Sequence, residues 1–88
     1  DEDERYKFAL AAYNAGMGRV DDILNLARLR DKDSGYWEDA VQVLPEMREE
    51  SVMDTGVVKL GTFKGSETTR YVNDVMAIYR EFCRICPD

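Results

Sequence analysis

The run Phe8-Ala9-Leu10-Ala11-Ala12-Tyr13-Asn14-Ala15-Gly16 is an alanine-rich stretch that stops at a glycine. Tyr6, Ala9, Leu10 and Tyr13 recur at helical spacing, which predicts a helix over residues 3–15. Ala9 to Ala12 is nearly all small, so another backbone can approach that face closely. The preceding Asp1-Glu2-Asp3-Glu4 suits the positive end of the helix dipole. Asn is a poor helix-interior residue, and its amide both donates and accepts hydrogen bonds. The Tyr13-Asn14 pair therefore reads in two ways. Either Asn14 satisfies backbone groups at the helix end and Tyr13 is core, or the pair lines a cleft.

Outward from this run the pattern stays helical. Gly16-Met17-Gly18 is expected to break the chain, with Gly16 as a left-handed C-cap. A second helix is predicted from about Arg19 to Arg30, with Val20, Ile23, Leu24 and Ala27 as its apolar stripe and Asp21 and Asp22 in its first turn. Asp31 to Gly35 is a polar linker. A third helix is predicted from Tyr36 to Leu44, with Trp37, Ala40, Val41 and Leu44 on one face; Pro45 then opens a short turn ending near Glu50. Val52 to Gly65 reads as a loop punctuated by Gly56, Gly61 and Gly65, in which Val57 to Leu60 forms a little extended structure. The last helix has Ser66 as its N-cap and Glu67 just inside. Its stripe is Tyr71, Val75, Ile78, Phe82 and Ile85, with Arg80 and Arg84 near its end and Pro87 after it. The expected fold class is thus all-α, about four helices with one long glycine-containing loop. At 88 residues it is one small domain of marginal stability.

Composition and charge exclude several functions. The net charge is -6, and no basic stripe exists to track phosphates, so no nucleic-acid partner is expected. No apolar run approaches the roughly 20 residues that span a bilayer. The chain opens on Asp1 without a signal peptide, and is read as an excised piece or a processed product. It contains no histidine, which removes Ser-His and Cys-His nucleophile pairs. Cys83 and Cys86 form a Cys-x-x-Cys, but two further zinc ligands are missing, so no metal and no cofactor are expected. The two thiols read as buried or half-exposed, or as a local or intermolecular disulfide. Glu49 and Glu50 read as a solvated face.

Three segments carry a family resemblance. Phe8 to Val20 resembles the Ala-Tyr-Asn-Ala-Gly-x-Gly motif of the lytic transglycosylases, whose domain has a lysozyme-like fold; Met17 stands where the family often has proline. Ser66 to Val75 resembles the Glu-Thr-x-x-Tyr-Val element that opens that domain's last helix. Trp37 with Leu44-Pro45 resembles a Trp…Leu-Pro segment of the family's membrane-bound F branch. The family's general acid, a Glu-Ser upstream of a Gly-Leu-Met-Gln element, has no counterpart. Glu50-Ser51 falls after the Ala-Tyr-Asn-Ala-Gly run rather than before it, so Glu50 is rejected.

The resemblance implies that residues 1–88 form the C-terminal part of such a domain and carry no catalytic residue. It implies a peptidoglycan glycan strand as partner, a cell-envelope location, and membrane association only through other parts of the parent. The reaction implied is cleavage between N-acetylmuramic acid and N-acetylglucosamine with a 1,6-anhydro product. Tyr13, Asn14, Gly16, Glu67 and Tyr71 are the implied substrate-binding residues; for Tyr71 its place on the apolar stripe competes. Trp37 reads as core rather than sugar platform. The alternative is a non-catalytic helical module that binds glycan or protein. A partial domain should also leave apolar surface exposed.

Overall fold

The computed structural model describes residues 2–86. Helix α1 (Glu2–Ala15) and helix α2 (Met17–Leu29) are separated by Gly16 alone. Gly16 has φ 94° and ψ 152°, a region that only glycine enters readily. The positive φ was expected, but this ψ lies outside the left-handed helical well. The Gly16 N–H donates to the Ala12 carbonyl at 2.7 Å, and its own carbonyl accepts the Val20 N–H at 3.3 Å. One residue therefore closes α1 and opens α2. Gly18 is helical instead of a break, and Leu60 packs against it. Because α2 starts two residues early, Asp21 and Asp22 fall in its second turn rather than its first.

The predicted third helix divides into α3 (Trp37–Ala40), a 3-10 turn (Val41–Val43) and α4 (Leu44–Met47). Its expected face holds: Trp37, Ala40 and Leu44 are buried and Val41 is half-buried. Pro45 sits in the first turn of α4, where a missing N–H leaves no helical bond unmade. A second 3-10 turn (Glu50–Thr55) precedes the irregular segment 57–65, in which Val57 to Leu60 pairs with no strand.

Helix α5 (Ser66–Ile85) is preceded by Gly65 in the left-handed conformation, φ 75°, so the residue before the helix is Gly65 rather than Ser66. A Cβ at Gly65 would lie 2.7 Å from Leu44 Cδ2, which shows how tightly α5 begins against α4. Helix α5 lies antiparallel to α1: Tyr13 meets Tyr71, and Tyr6 meets Tyr79. The face it buries is Thr68, Val72 and Met76. The expected stripe is displaced from this line. Tyr71 and Val75 are half-buried, while Ile78, Phe82 and Ile85 are 60–68% exposed. Length accounts for Phe82 and Ile85, though not for Ile78. Helix α1 begins beside Tyr79, and the rest of α5 continues past it. The radius of gyration is 13.8 Å, against about 12 Å for a compact chain of this length. Apolar surface is thus left open along the end of α5. Cys83 and Cys86 are both exposed free thiols, contrary to the buried or half-exposed reading. A hydrogen bond to Cys83 pushes the Tyr79 hydroxyl up from its ordinary pKa. Asp1 and Pro87, read as part of an acidic start and as a helix terminator, lie outside the described residues.

Two apolar clusters meet through Phe8, Leu24 and Val41. The larger joins α2 to α4 and the loop through Ile23, Leu26, Met47, Val52 and Val58. The smaller joins α1, α2, α3 and α5 through Ala11, Val20, Trp37, Val72 and Met76. Trp37 is core, and its ring meets that of Phe8 in a T-shaped arrangement at 5.3 Å between centroids.

A buried carboxylate ties α1 to α3. The Trp37 N–H donates to Glu4 Oε1 at 2.6 Å, and Lys7 Nζ donates to Oε2 at 3.0 Å. Burial pushes the Glu4 carboxyl up, but the Trp37 N–H and Lys7 together hold it below its ordinary value. A depressed folded pKa stabilises the fold fully above about pH 4.5 and ceases to do so as the pH falls through the folded value. The melting temperature should therefore drop more between about pH 6 and about pH 3 in the native chain than in Glu4→Gln. Equal drops would contradict this account of Glu4.

Candidate functional site

The end of α1 and the start of α5 build one groove. Its lining is Asn14, Ala15, Phe63, Lys64, Gly65, Ser66, Glu67 and Thr68, and its volume is ≈ 390 Å³. Its two sides are 54 residues apart in sequence and are joined by one bond: the Thr68 hydroxyl donates to Asn14 Oδ1 at 2.7 Å. Asn14 therefore spends its oxygen across the groove rather than on its own helix end, and Thr68 is buried beneath it. Charge-neutral bonds of this kind contribute about 1 kcal/mol net, but a buried hydroxyl left unpaired costs more. The pairing thus fixes which way both side chains face.

The other expected residues take distinct places. Tyr13 is 84% exposed, and its ring stacks on that of half-buried Tyr71 at 6.5 Å, with 24° between planes. This pair forms a flat aromatic shelf one helical step from the groove. An exposed stacked pair can pack against the apolar face of a sugar ring while its hydroxyls bond polar groups. Tyr71 also contacts the smaller core cluster, so its stripe reading and its shelf reading describe two sides of one ring. Glu67 stands exposed in the first turn of α5, where its charge suits the dipole. Gly16 does not line the groove; it sets the angle between α1 and α2.

Four residues that the sequence reading passed over shape the same corner. Phe63 and Lys64 line the groove, and the Phe63 N–H donates to the Met47 carbonyl at 2.8 Å. Arg19 lies 5.0 Å over the Phe63 ring and donates to the Gly61 and Thr62 carbonyls. Arg48 Nε donates to the Lys64 carbonyl at 3.0 Å. Two arginines thus clamp segment 61–64 in place, in a region whose glycines signalled only a loop. One turn further along α2, buried Asp22 accepts the Lys59 and Leu60 N–H groups, each at 2.9 Å, and pins the preceding residues of the same loop.

Glu67 is the carboxylate that lines the groove, and it is exposed. The buried carboxylates, Glu4 and Asp22, are both bonded to backbone N–H groups, and neither lines the groove. Glu49 and Glu50 are exposed. Among the described residues no group of three metal-ligating side chains comes together. No described helix is long and apolar enough to cross a membrane.

Comparison with known proteins agrees on one family name. The chain is 36% identical over 78 residues to a membrane-bound lytic murein transglycosylase F of Shewanella denitrificans, covering 89% of this chain and 15% of the relative. It is 32% identical to that of Thiobacillus denitrificans over 99% of this chain and 18% of the relative. It is 38% identical to that of Maricaulis maris over 78% of this chain and 15% of the relative. The chain thus spans less than a fifth of the length of these relatives. No family model and no solved structure matches it.

Proposed function

On the premise that this chain is a homologue of one segment of the membrane-bound lytic murein transglycosylases F, we propose that it forms one wall of the glycan cleft of such an enzyme. The observation that carries the reading is the Thr68–Asn14 bond, which brings the two most family-like segments into a single groove. In this reading the Tyr13–Tyr71 shelf supports a sugar ring. Asn14 offers its amide, and Glu67 accepts from hydroxyl or acetamido groups. The substrate is the peptidoglycan strand, which places the parent at the cell envelope.

The reaction needs one carboxylic acid held protonated near neutral pH by an apolar pocket. That acid protonates the glycosidic oxygen and then, as a carboxylate, takes the proton of the sugar's 6-hydroxyl. The hydroxyl closes onto the anomeric carbon and gives a 1,6-anhydro end without water. No carboxylate of this groove is enclosed in that way, so the acid belongs to another part of the parent. The role of this chain is to position the sugar, a contribution that can be worth several orders of magnitude in rate.

The test is a graft. This chain replaces the matching segment of an F-type relative, and the products from purified peptidoglycan are read by mass spectrometry. The graft should release 1,6-anhydro products, the graft carrying Asn14→Ala should release them at least about tenfold more slowly, and the isolated chain should release none. Release by the isolated chain would overturn the missing-acid reading. A folded graft that binds glycan without cleaving it would turn the reading toward a non-catalytic glycan-binding module.

A further inference from the structure

The last turns of α5 run past the start of α1 with little packed on them: Phe82 and Ile85 are 60% and 62% exposed. A helix end without tertiary cover frays, because packing rather than propensity holds most helices of a folded protein. Two thiols stand on this end. Cys83 lies in the last helical turn and Cys86 at the C-cap, and both are exposed.

The backbone brings the two within bridging reach. The Cys86 N–H donates to the Phe82 carbonyl at 2.7 Å, so the chain follows the helical path up to Cys86, whose own φ −124° and ψ 76° then leave it. Residues three apart on that path have Cα atoms about 5 Å apart, inside the range of about 4.4–6.8 Å that a disulfide spans. Their Cβ atoms in a regular turn stand about 5–6 Å apart, wider than the roughly 3.8 Å of a bridge. The turn must therefore tighten, and Cys86, already out of helical conformation, has the freedom to do so. In the open form the Cys83 thiol and the Tyr79 hydroxyl share a hydrogen bond, and the Tyr79 ring meets Tyr6 of α1 at 5.4 Å. The first thiol is thus tied to the seam between α1 and α5. Cys-x-x-Cys pairs that donate disulfides sit at helix N-termini, where the dipole favours a thiolate. This pair stands at the opposite pole, the place of a receiver.

We propose that Cys83 and Cys86 form a redox clasp: they take a disulfide from a small-molecule or protein disulfide donor, and the local bridge that results holds the uncovered end of α5. One thiol loses its proton to solvent and attacks a sulfur of the donor disulfide; that S–S bond breaks, a mixed disulfide forms, and one donor thiol leaves. The second thiol, likewise deprotonated, attacks the mixed disulfide, closes the Cys83–Cys86 bond and releases the second donor thiol. The two cysteines are oxidised by two electrons, which the donor takes up. Closing the bridge draws Cys83 away from Tyr79. The inference stands apart from the glycan-cleft reading, since neither glycan nor cleavage enters it.

The experiment exposes the folded chain to oxidised glutathione, blocks remaining thiols with iodoacetamide, and reads intact mass and amide hydrogen exchange. The main product should be a monomer that has lost two hydrogens and takes up no blocking group, and dithiothreitol should restore both thiols. In that product the Arg84, Ile85 and Cys86 amides should exchange about tenfold more slowly than in the reduced chain, because a short bridged loop can no longer open freely. Cys83→Ser and Cys86→Ser should each stop at one bound glutathione and keep the faster exchange. Two thiols still open to iodoacetamide would overturn the inference, and so would a disulfide-linked dimer as the main product. Exchange unchanged on closure would overturn it too, since the bridge would then hold nothing.

Discussion

Trp37→Ala should destabilise the chain by about 3–5 kcal/mol, the cost of emptying a buried aromatic site. Trp37 is 2% exposed and packs where α1, α2, α3 and α5 converge, against Ala11, Val20, Val72, Met76 and the ring of Phe8. Those neighbours belong to three elements besides Trp37's own, so no single side chain can collapse into the space. A domain of this length holds on the order of 4–13 kcal/mol in total, and the melting temperature should fall by on the order of 20 °C. Tyr36, one residue earlier, is half exposed, and Tyr36→Ala should stay within about 0.5 kcal/mol. Denaturant titration of the pair checks this through the midpoint, at unchanged slope. A Trp37→Ala midpoint equal to that of Tyr36→Ala would mean that the four elements do not share this core.

The second large effect lies at Asp22. Asp22→Ala removes both acceptors of the Lys59 and Leu60 N–H groups from a side chain only 2% exposed. Bonds to a charged acceptor contribute about 1.5–3 kcal/mol each, and water recovers part of that at the exposed Lys59 and Leu60. The net loss should be about 3 kcal/mol. Asp22→Asn keeps one acceptor but turns an amide NH₂ toward the second N–H, so its loss should be smaller, about 1–2 kcal/mol. Hydrogen exchange supplies the site-specific check. The Lys59 and Leu60 amides should lose protection in Asp22→Ala by more than the global change in stability. Uniform loss across the chain would show that Asp22 supports the fold generally rather than pinning this loop.

Asp22 also marks where sequence reading stops. Its position near a helix start gives a sufficient local reason for an acid, the dipole, and nothing nearby in sequence reveals the two N–H groups 37 and 38 residues away. The same limit governs the loop. Glycines at 56, 61 and 65 announce turns, but the clamps that order the segment, Arg19 and Arg48, come from α2 and the end of α4. Helices α1, α2 and α5 were legible because each carries its own periodicity and its own breaks. The face α5 buries was not. That helix has two apolar lines, Tyr71–Val75–Ile78–Phe82–Ile85 and Val72–Met76, and periodicity favours the longer. Packing chose the shorter: Thr68, on the same line, meets Asn14, and Val72 and Met76 join the cluster around Trp37. At the site, Asn14 and Glu67 were found through motif likeness. Their partner Thr68, next to Glu67, was missed because a threonine in a first helical turn normally needs no explanation.

The groove is the centre of this account, and chemical-shift mapping tests it most directly. An ¹⁵N-labelled sample of this chain is titrated with a short glycan of alternating N-acetylglucosamine and N-acetylmuramic acid. The account predicts that the largest amide shifts fall at Tyr13, Asn14, Gly65, Glu67, Thr68 and Tyr71, with the exposed 78–86 end of α5 unmoved. Shifts confined to that apolar end, or no shifts at saturating glycan, would contradict it.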